Sequence, residues 1–130
     1  MNKLKSMVGV GAPKVEVKLA KSEAVIHEAV KGVVTISGGE YETKIDRILL
    51  YMLTVEELKE KNDTKESTNK VGTITFNDYN LVPGESISVP FQIVIPKNNL
   101  ITSSSIKHYV KVSLDIPGKD VFGVCEITIK

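Results

Sequence analysis

The side chains of this sequence that could do chemistry are one cysteine and two histidines. Cys125 shares strand parity with Ile127 and Ile129, which favours a small core residue, because a reactive thiolate needs exposure and a cationic neighbour. His108 lies on the apolar parity of its segment, which favours a core or rim histidine over a base or a ligand. His27 sits in a polar connection. These residues are far apart on unlike elements, so we predict no metal site.

A short glycine-containing segment, Gly9-Val10-Gly11, imitates the start of a dinucleotide-binding fingerprint. That fingerprint follows a strand and opens a helix, whereas this segment precedes a predicted strand and has Lys14 where a further glycine is needed. The sequence also lacks the Gly-x-Ser-x-Gly elbow of serine hydrolases. We therefore predict no catalytic residue, no cofactor and no enzymatic activity.

Length and composition indicate one globular domain. The chain has 130 residues, of which 42% are hydrophobic and 25% charged, ordinary values for a domain that can bury a core. Its 17 basic and 16 acidic residues give a net charge of +1, which offers no electrostatic footprint for nucleic acid or an anionic membrane. No apolar run approaches the roughly 20 residues of a membrane span. One cysteine permits no intrachain disulfide and favours a reducing compartment, so we predict a cytoplasmic protein.

Residues 1–13 are predicted to form an amphipathic helix and a hinge. Leu4, Met7 and Val8 fall on one side of about two helical turns, and the glycines and proline of residues 9–13 end the helix. The stretch imitates a secretory signal, but its apolar segment is too short. So short a helix needs a surface to lie on.

Residues 14–130 are predicted to form an all-β, two-sheet antiparallel sandwich. Period-two patterns separated by polar turns indicate about seven strands. Pro90 lies within one of them and predicts an edge strand or a bulge, because proline cannot donate a ladder hydrogen bond. Residues 56–70 either continue a strand as a protruding hairpin or form a mobile loop. The predicted strands cover residues 14–19, 30–37, 40–58, 71–77, 86–95, 106–116 and 121–129.

The long third strand carries the main functional signal, because both of its faces are apolar between residues 45 and 55. One parity holds Ile45, Leu49, Tyr51, Leu53 and Val55, and the other holds Ile48, Leu50 and Met52. Val33 and Val94 also fall on otherwise polar parities. Either bulges shift the parity, or the N-terminal apolar residues cover the patch, or the patch contacts another copy or another protein. The candidate interface is Leu4, Met7, Leu49, Tyr51, Leu53 and Val55.

Five segments that span nearly the whole chain resemble the bacterial sporulation-control proteins of arrestin-like fold. They follow the N-terminal helix in this order: Val-Gly-Val-Gly-Ala-Pro-Lys-Val-Glu at residues 8–16, Val-Lys-Gly-Val-Val-Thr-Ile-Ser-Gly-Gly at 30–39, Ile-Asp-Arg-Ile-Leu-Leu at 45–50, Ser-Val-Pro-Phe-Gln-Ile-Val-Ile-Pro at 88–96, and Val-Lys-Val-Ser-Leu-Asp-Ile at 110–116. These motifs are structural patterns without catalytic content, and they transfer no binding residue.

The resemblance implies an arrestin-like sandwich that acts as an intracellular, non-enzymatic regulatory or scaffolding protein, through protein contacts in the control of sporulation or cell-cycle stages. Family members typically have Pro-Gly-Glu before the second strand, where this chain has Ile26-His27-Glu28. The family also usually carries two arrestin-like lobes, and this chain has about the length of the first. It is either a one-lobe relative or one lobe of a longer protein.

Two other classes of function stay open. A small-ligand or carbohydrate-binding sandwich would place its site in the loops at residues 77–83 and 97–105. That reading predicts a pocket lined by aromatic side chains, and only 5% of the residues are aromatic, with no tryptophan. An enzyme using His108 or Cys125 would need that residue exposed in a cleft beside a base.

Overall fold

A computed structural model of the chain describes residues 11–97 and 100–130, which are almost entirely β-structure. The predicted N-terminal helix, with Leu4 and Met7, lies outside the described residues. A single-turn 3-10 helix, Lys59–Lys61, joins the two longest strands. The strands are β1 (Lys14–Leu19), β2 (Glu23–Ala24), β3 (Ala29–Ser37), β4 (Thr43–Leu58), β5 (Asp63–Leu81), β6 (Ser86–Val94), β7 (Ile106–Asp115) and β8 (Val121–Ile129).

The strands form two sheets, which confirms the predicted all-β sandwich. The three-stranded sheet has the order β1-β3-β6, and the five-stranded sheet has the order β2-β8-β7-β4-β5. Every pairing is antiparallel except the two-residue pairing of β2 with β8. β6, which contains Pro90, is an edge strand, as the proline predicts.

The core lies between the two sheets and takes every second residue of most strands. On β3 and β7 this alternation is strict, with Val30, Val34 and Ile36 buried on β3 and His108, Val110, Val112 and Leu114 buried on β7. Burying one large aliphatic side chain contributes about 1.5–3 kcal/mol, so this inner surface is the main source of stability.

Two glycines allow close approach within this core. A Cβ added to Gly32 would lie 2.4 Å from the Phe91 ring, which therefore packs directly on the β3 backbone. A Cβ added to Gly123 would lie 2.7 Å from the carbonyl oxygen of Val15, where β1 crosses close to β8. Any side chain at either position would force the neighbouring group to move.

β4 changes its inward parity once, near its start. Its register with β5 shifts between Ile45 and Arg47, and Asp46 and Arg47 are both exposed. Ile45 and Ile48 are consequently both fully buried in the core. The expectation that Ile45 shares a face with Leu49 is wrong, because the irregularity inserts an extra residue between the two inward positions.

Residues 56–70 form a hairpin and not a mobile loop. β4 and β5 stay in register out to the pair Leu58 and Asp63, and Asn62 closes the turn with a left-handed φ of 51°. All eight residues at positions 63–70 of β5 are exposed. Of the two alternatives that the sequence allows, the structure has the continued strand.

Two turns of the chain share one geometry, at residues 25–28 and 82–85. In the second, Gly84 has φ 85°, Glu85 N–H donates to the Val82 carbonyl at 3.1 Å, and the Glu85 carboxylate accepts the Val82 N–H at 3.1 Å. In the first, Glu28 makes the same two bonds with Val25, at 3.0 and 2.9 Å. The turn therefore forms without the Pro-Gly-Glu sequence.

His27 occupies the left-handed position of that first turn, with φ 74°. A left-handed conformation costs a non-glycine residue roughly 1–2 kcal/mol, whereas glycine adopts it freely. We expect His27→Gly to raise the free energy of unfolding by about 1 kcal/mol, measured by urea denaturation.

The matched control is Gly84→Ala, where an added Cβ meets nothing within 4 Å and only the backbone φ of 85° is unfavourable. This variant should lose stability by a similar amount. A stabilised Gly84→Ala, or a destabilised His27→Gly, would contradict the assignment of strain to the backbone.

Candidate functional site

The outer face of the five-stranded sheet, which points away from the core, carries a band of apolar side chains. Directly opposed residues of neighbouring strands project from the same face of a sheet, so the strand registers show which side chains lie together. We call the band the outer patch. It consists of Leu49, Tyr51, Leu53 and Val55 on β4, Tyr109 on β7, and Phe122 and Val124 on β8.

Three rows of opposed residues cross β4, β7 and β8 and build the outer patch. Each row combines apolar and polar side chains, and in two of the rows Ser113 or Lys111 of β7 stands between the apolar side chains of β4 and β8. The rows are Leu49–Ser113–Phe122, Tyr51–Lys111–Val124 and Leu53–Tyr109–Glu126.

Exposure of the patch increases towards β8. The members on β4 are half-buried, because β5 and β7 flank that strand on both sides. Phe122 and Val124 remain 55% and 49% exposed. On its far side β8 pairs with β2 only at Thr128 and Ile129, so among the described residues no strand is hydrogen-bonded to that side of the Phe122 end, where β1 only packs nearby.

Cationic side chains border and cross the outer patch. The Lys111 Nζ lies 4.6 Å from the centroid of the Phe122 ring, a cation–π contact. Tyr51 has a lysine opposite it on both sides, Lys111 on β7 and Lys70 on β5. Beyond Leu49, Arg47 donates from Nη2 and Nε to the Asp115 carboxylate at 2.7 and 3.0 Å. That carboxylate raises the pKa of the Arg47 guanidinium.

The structure brings together the four candidate interface residues of β4 that it describes, Leu49, Tyr51, Leu53 and Val55. Leu4 and Met7 lie outside the described residues, and their part in an interface stays a prediction. Sequence reasoning missed Tyr109, Phe122 and Val124. Phe122 and Val124 could have been predicted to face outward, because they lie on the same parity of β8 as the charged Glu126.

Val33 and Val94 lie on the outer face of the other sheet, 39% and 52% exposed. β3 and β6 pair there without a register shift, so a bulge does not account for their outward position. Val33 faces Pro90, and Val94 faces Ala29. These residues are on a different sheet from the outer patch and are not part of it.

His108 is fully buried and holds two elements together. Its Nε2 lies 2.6 Å from the Leu100 carbonyl oxygen, so Nε2 carries the proton and donates. Its Nδ1 lies 3.0 Å from the Thr54 hydroxyl, which donates in turn to the neutral ring. Burial lowers the pKa of His108, and the bond to the Leu100 carbonyl partly opposes this. The predicted core histidine is confirmed, and the ring is not in an open cleft.

Cys125 packs against the core from the inner face of β8, opposite Val110, and is partly buried. Within residues 11–97 and 100–130, no group of three or more His, Cys, Asp or Glu side chains is arranged to hold a metal ion. No helix in the described part of the chain is long and apolar enough to cross a membrane.

The two loops of the ligand-binding alternative lie at opposite ends of β4. Tyr79 pairs with Ile45 near the start of the strand, and the Ser105 carbonyl accepts the Glu57 N–H at 2.8 Å near its end. A strand of this length separates the two points by roughly 40 Å. A cavity of about 450 Å³ does lie beside Ser105, but no aromatic side chain lines it. The structure does not assemble that site.

Comparison with known proteins gives matches at the level of family, relative and solved structure. Residues 1–120 match the model of the family described as SpoOM protein. The sporulation-control protein spo0M of Bacillus subtilis (strain 168) is 31% identical over 120 residues, which are 89% of this chain and 45% of the relative.

A solved structure, the crystal structure of Spo0M from Bacillus subtilis, is similar to this chain with a TM-score of 0.77 and 25% sequence identity. The similarity covers 93% of this chain and 50% of the solved chain. The chain therefore spans about half the length of the relatives it matches.

The buried His108 generates a pH prediction. Because the folded protein lowers the pKa of His108 below the unfolded value, the unfolded chain binds more protons as the pH falls through about 6.5. The contribution of His108 to the free energy of unfolding is fully present above that pH. Below it, this contribution falls by at most about 1.4 kcal/mol per pH unit. Urea denaturation between pH 7.5 and 5.5 should show a shallower pH slope in His108→Gln than in wild type.

The exposed His27 offers the control for this measurement. His27→Asn removes the other histidine at an exposed position and keeps a residue that tolerates the left-handed backbone, so its pH slope is that of a folded chain that retains His108. If His108→Gln shows the wild-type slope, the buried ring is not the source of the pH dependence.

Proposed function

The chain belongs to the Spo0M family of sporulation-control proteins, and on that premise we propose that it is a non-enzymatic regulatory adaptor that binds another protein through the outer patch. The single observation that carries the proposal is the exposure of Phe122 and Val124 on the same outer face as the half-buried apolar side chains of β4, across β7 from them. The outer face of an antiparallel sheet is ordinarily polar, and large apolar side chains gathered on it mark a contact site.

The chemistry of the patch defines the partner surface that it fits. Tyrosine and phenylalanine contribute large contact areas and are enriched where binding energy is concentrated. Tyr51 lies between Lys70 and Lys111, and Lys107 faces Val55. The fitting partner is therefore a protein whose surface is apolar at its centre and carries carboxylates at its border. Such carboxylates would meet these lysines at the rim of the interface, where they favour fast association and specificity.

The roles of the histidine and the cysteine support a non-enzymatic function. Both ring nitrogens of His108 are occupied by hydrogen bonds, one with the Thr54 hydroxyl and one with the Leu100 carbonyl. Cys125 packs against the core. The relative from Bacillus subtilis is named for sporulation control. With a single cysteine in the sequence, the bacterial cytoplasm is the compartment that we propose for this activity.

Introducing a carboxylate into the outer patch tests the proposal. We expect Tyr51→Asp, Leu53→Asp and Phe122→Asp each to reduce capture of the partner by tenfold or more, because each buries an unpaired charge in the interface. Phe122→Asp is the most informative, since the side chain is 55% exposed and its loss leaves the core intact. The measurement is quantitative pull-down from lysate of the source bacterium, followed by titration with the purified partner.

The matched control is Thr75→Asp, an exposed position of β5 on the same outer face, opposite Arg47 and beyond the patch. It should bind like wild type, and circular dichroism should show all four variants folded. If folded Phe122→Asp captures the partner as well as wild type does, the proposed interface is wrong. If Tyr51→Asp and Leu53→Asp unfold, those two residues belong to the core.

A further inference from the structure

The free edge of β5 is a second feature of the surface that the proposed function does not use. β5 pairs with β4 on one side, and no other strand of the described residues pairs with its opposite side. Residues 63–70 are exposed on both faces of the strand. An unpaired edge offers a row of backbone N–H and C=O groups to another strand.

The other sheet edges in the described part of the chain are less open to pairing. β6 contains Pro90, which cannot donate to a new ladder. β2 has two residues, and β1 packs beside β8 at Val15 and Gly123. β5 has 19 residues and no proline. It is the edge best suited to accept another strand.

We propose that this edge pairs antiparallel with the same edge of a second copy of the chain, about a two-fold axis at Thr68. An axis perpendicular to the sheet relates two antiparallel edge strands, and facing residues then project from the same face. On β5, Glu66, Thr68 and Lys70 project from the outer face, since they oppose Val55, Leu53 and Tyr51. Pairing centred on Thr68 therefore places Glu66 opposite Lys70 of the second copy.

The charged residues of β5 favour this register over the other registers in which two copies of the edge could pair. Centring on Thr68 forms two oppositely charged Glu66–Lys70 pairs, one on each side of a central Thr–Thr pair, both favourable cross-strand combinations. Centring on Glu66 or Lys65 would oppose like charges directly. Centring on Thr64 would pair Asp63 with Lys65 but is cut short by the turn at Asn62. Centring on Ser67 or Asn69 forms no oppositely charged pair, so among the registers that the turn leaves room for, only the one centred on Thr68 is self-complementary in charge.

The irregularity of β5 limits the strength of the pairing. The register of β5 with β4 shifts beside Leu50 and Tyr51, between Lys70 and Gly72 of β5, so the regular ladder covers residues 66–70 of each copy. So small an interface predicts a weak dimer, with a dissociation constant on the order of 100 µM. Because the axis is perpendicular to the sheet, both outer patches face the same side. If the proposed function also holds, the dimer would present two binding surfaces together.

Charge exchange at Glu66 and Lys70 tests both the dimer and its register. Sedimentation equilibrium up to about 1 mM should show wild type in monomer–dimer equilibrium. Glu66→Lys alone and Lys70→Glu alone should each weaken it roughly tenfold, because like charges then face each other twice. An equimolar mixture of the two variants should recover wild-type association, since every facing pair in the mixed dimer is again of opposite charge.

Matched controls carry the same charge changes on exposed positions of β1, as Glu16→Lys and Lys18→Glu, and should associate like wild type. Phe122→Asp should also leave the edge dimer unchanged, which separates this proposal from the outer-patch interface. A wild type that stays monomeric at all concentrations, or a mixture that fails to recover, would overturn the edge pairing. Loss of the dimer in Phe122→Asp alone would place the second copy on the outer patch instead.

Discussion

The structure depends on the burial of one face of each sheet against the other. The Val15 backbone on Gly123 sets how closely β1 of one sheet approaches β8 of the other. A sandwich of two sheets has one interior, so each sheet keeps one face outside it. The five-stranded sheet places apolar side chains on that remaining face as well. The five-stranded sheet thus has two faces with apolar side chains, but the sandwich has one core, which covers only one of them. The other face carries the outer patch.

Much of the fold could be predicted from the sequence, because alternation and turn residues are local signals. The alternation on β3, β6 and β7 and the edge position of Pro90 are of this kind. The inward position of Ile45 could not be predicted, since the irregularity beside Asp46 depends on the pairing of β4 with β5 and leaves no local mark. The turn at His27 likewise forms because the pairing around it holds a left-handed backbone that the residue itself disfavours.

The candidate site was only half predictable for the same reason. The apolar residues of β4 stood out because they break the alternation of a single strand. Phe122 and Val124 join them only through the strand order, which places β8 two strands away across β7. The order β2-β8-β7-β4-β5 also makes β5 an edge, so residues 63–70 change from a polar segment into an open strand. Non-local pairing, rather than residue type, determines both surfaces.

We infer that the outer patch is open to solvent in the free chain and so is available to a partner. Methyl NMR with a soluble paramagnetic agent measures this directly. If the patch is open, the Val124 methyls, 49% exposed, are broadened as strongly as those of Val94, 52% exposed, while those of the buried Val110 are unaffected. Protection of Val124 to the level of Val110 would contradict it and assign the patch to the interior of the chain.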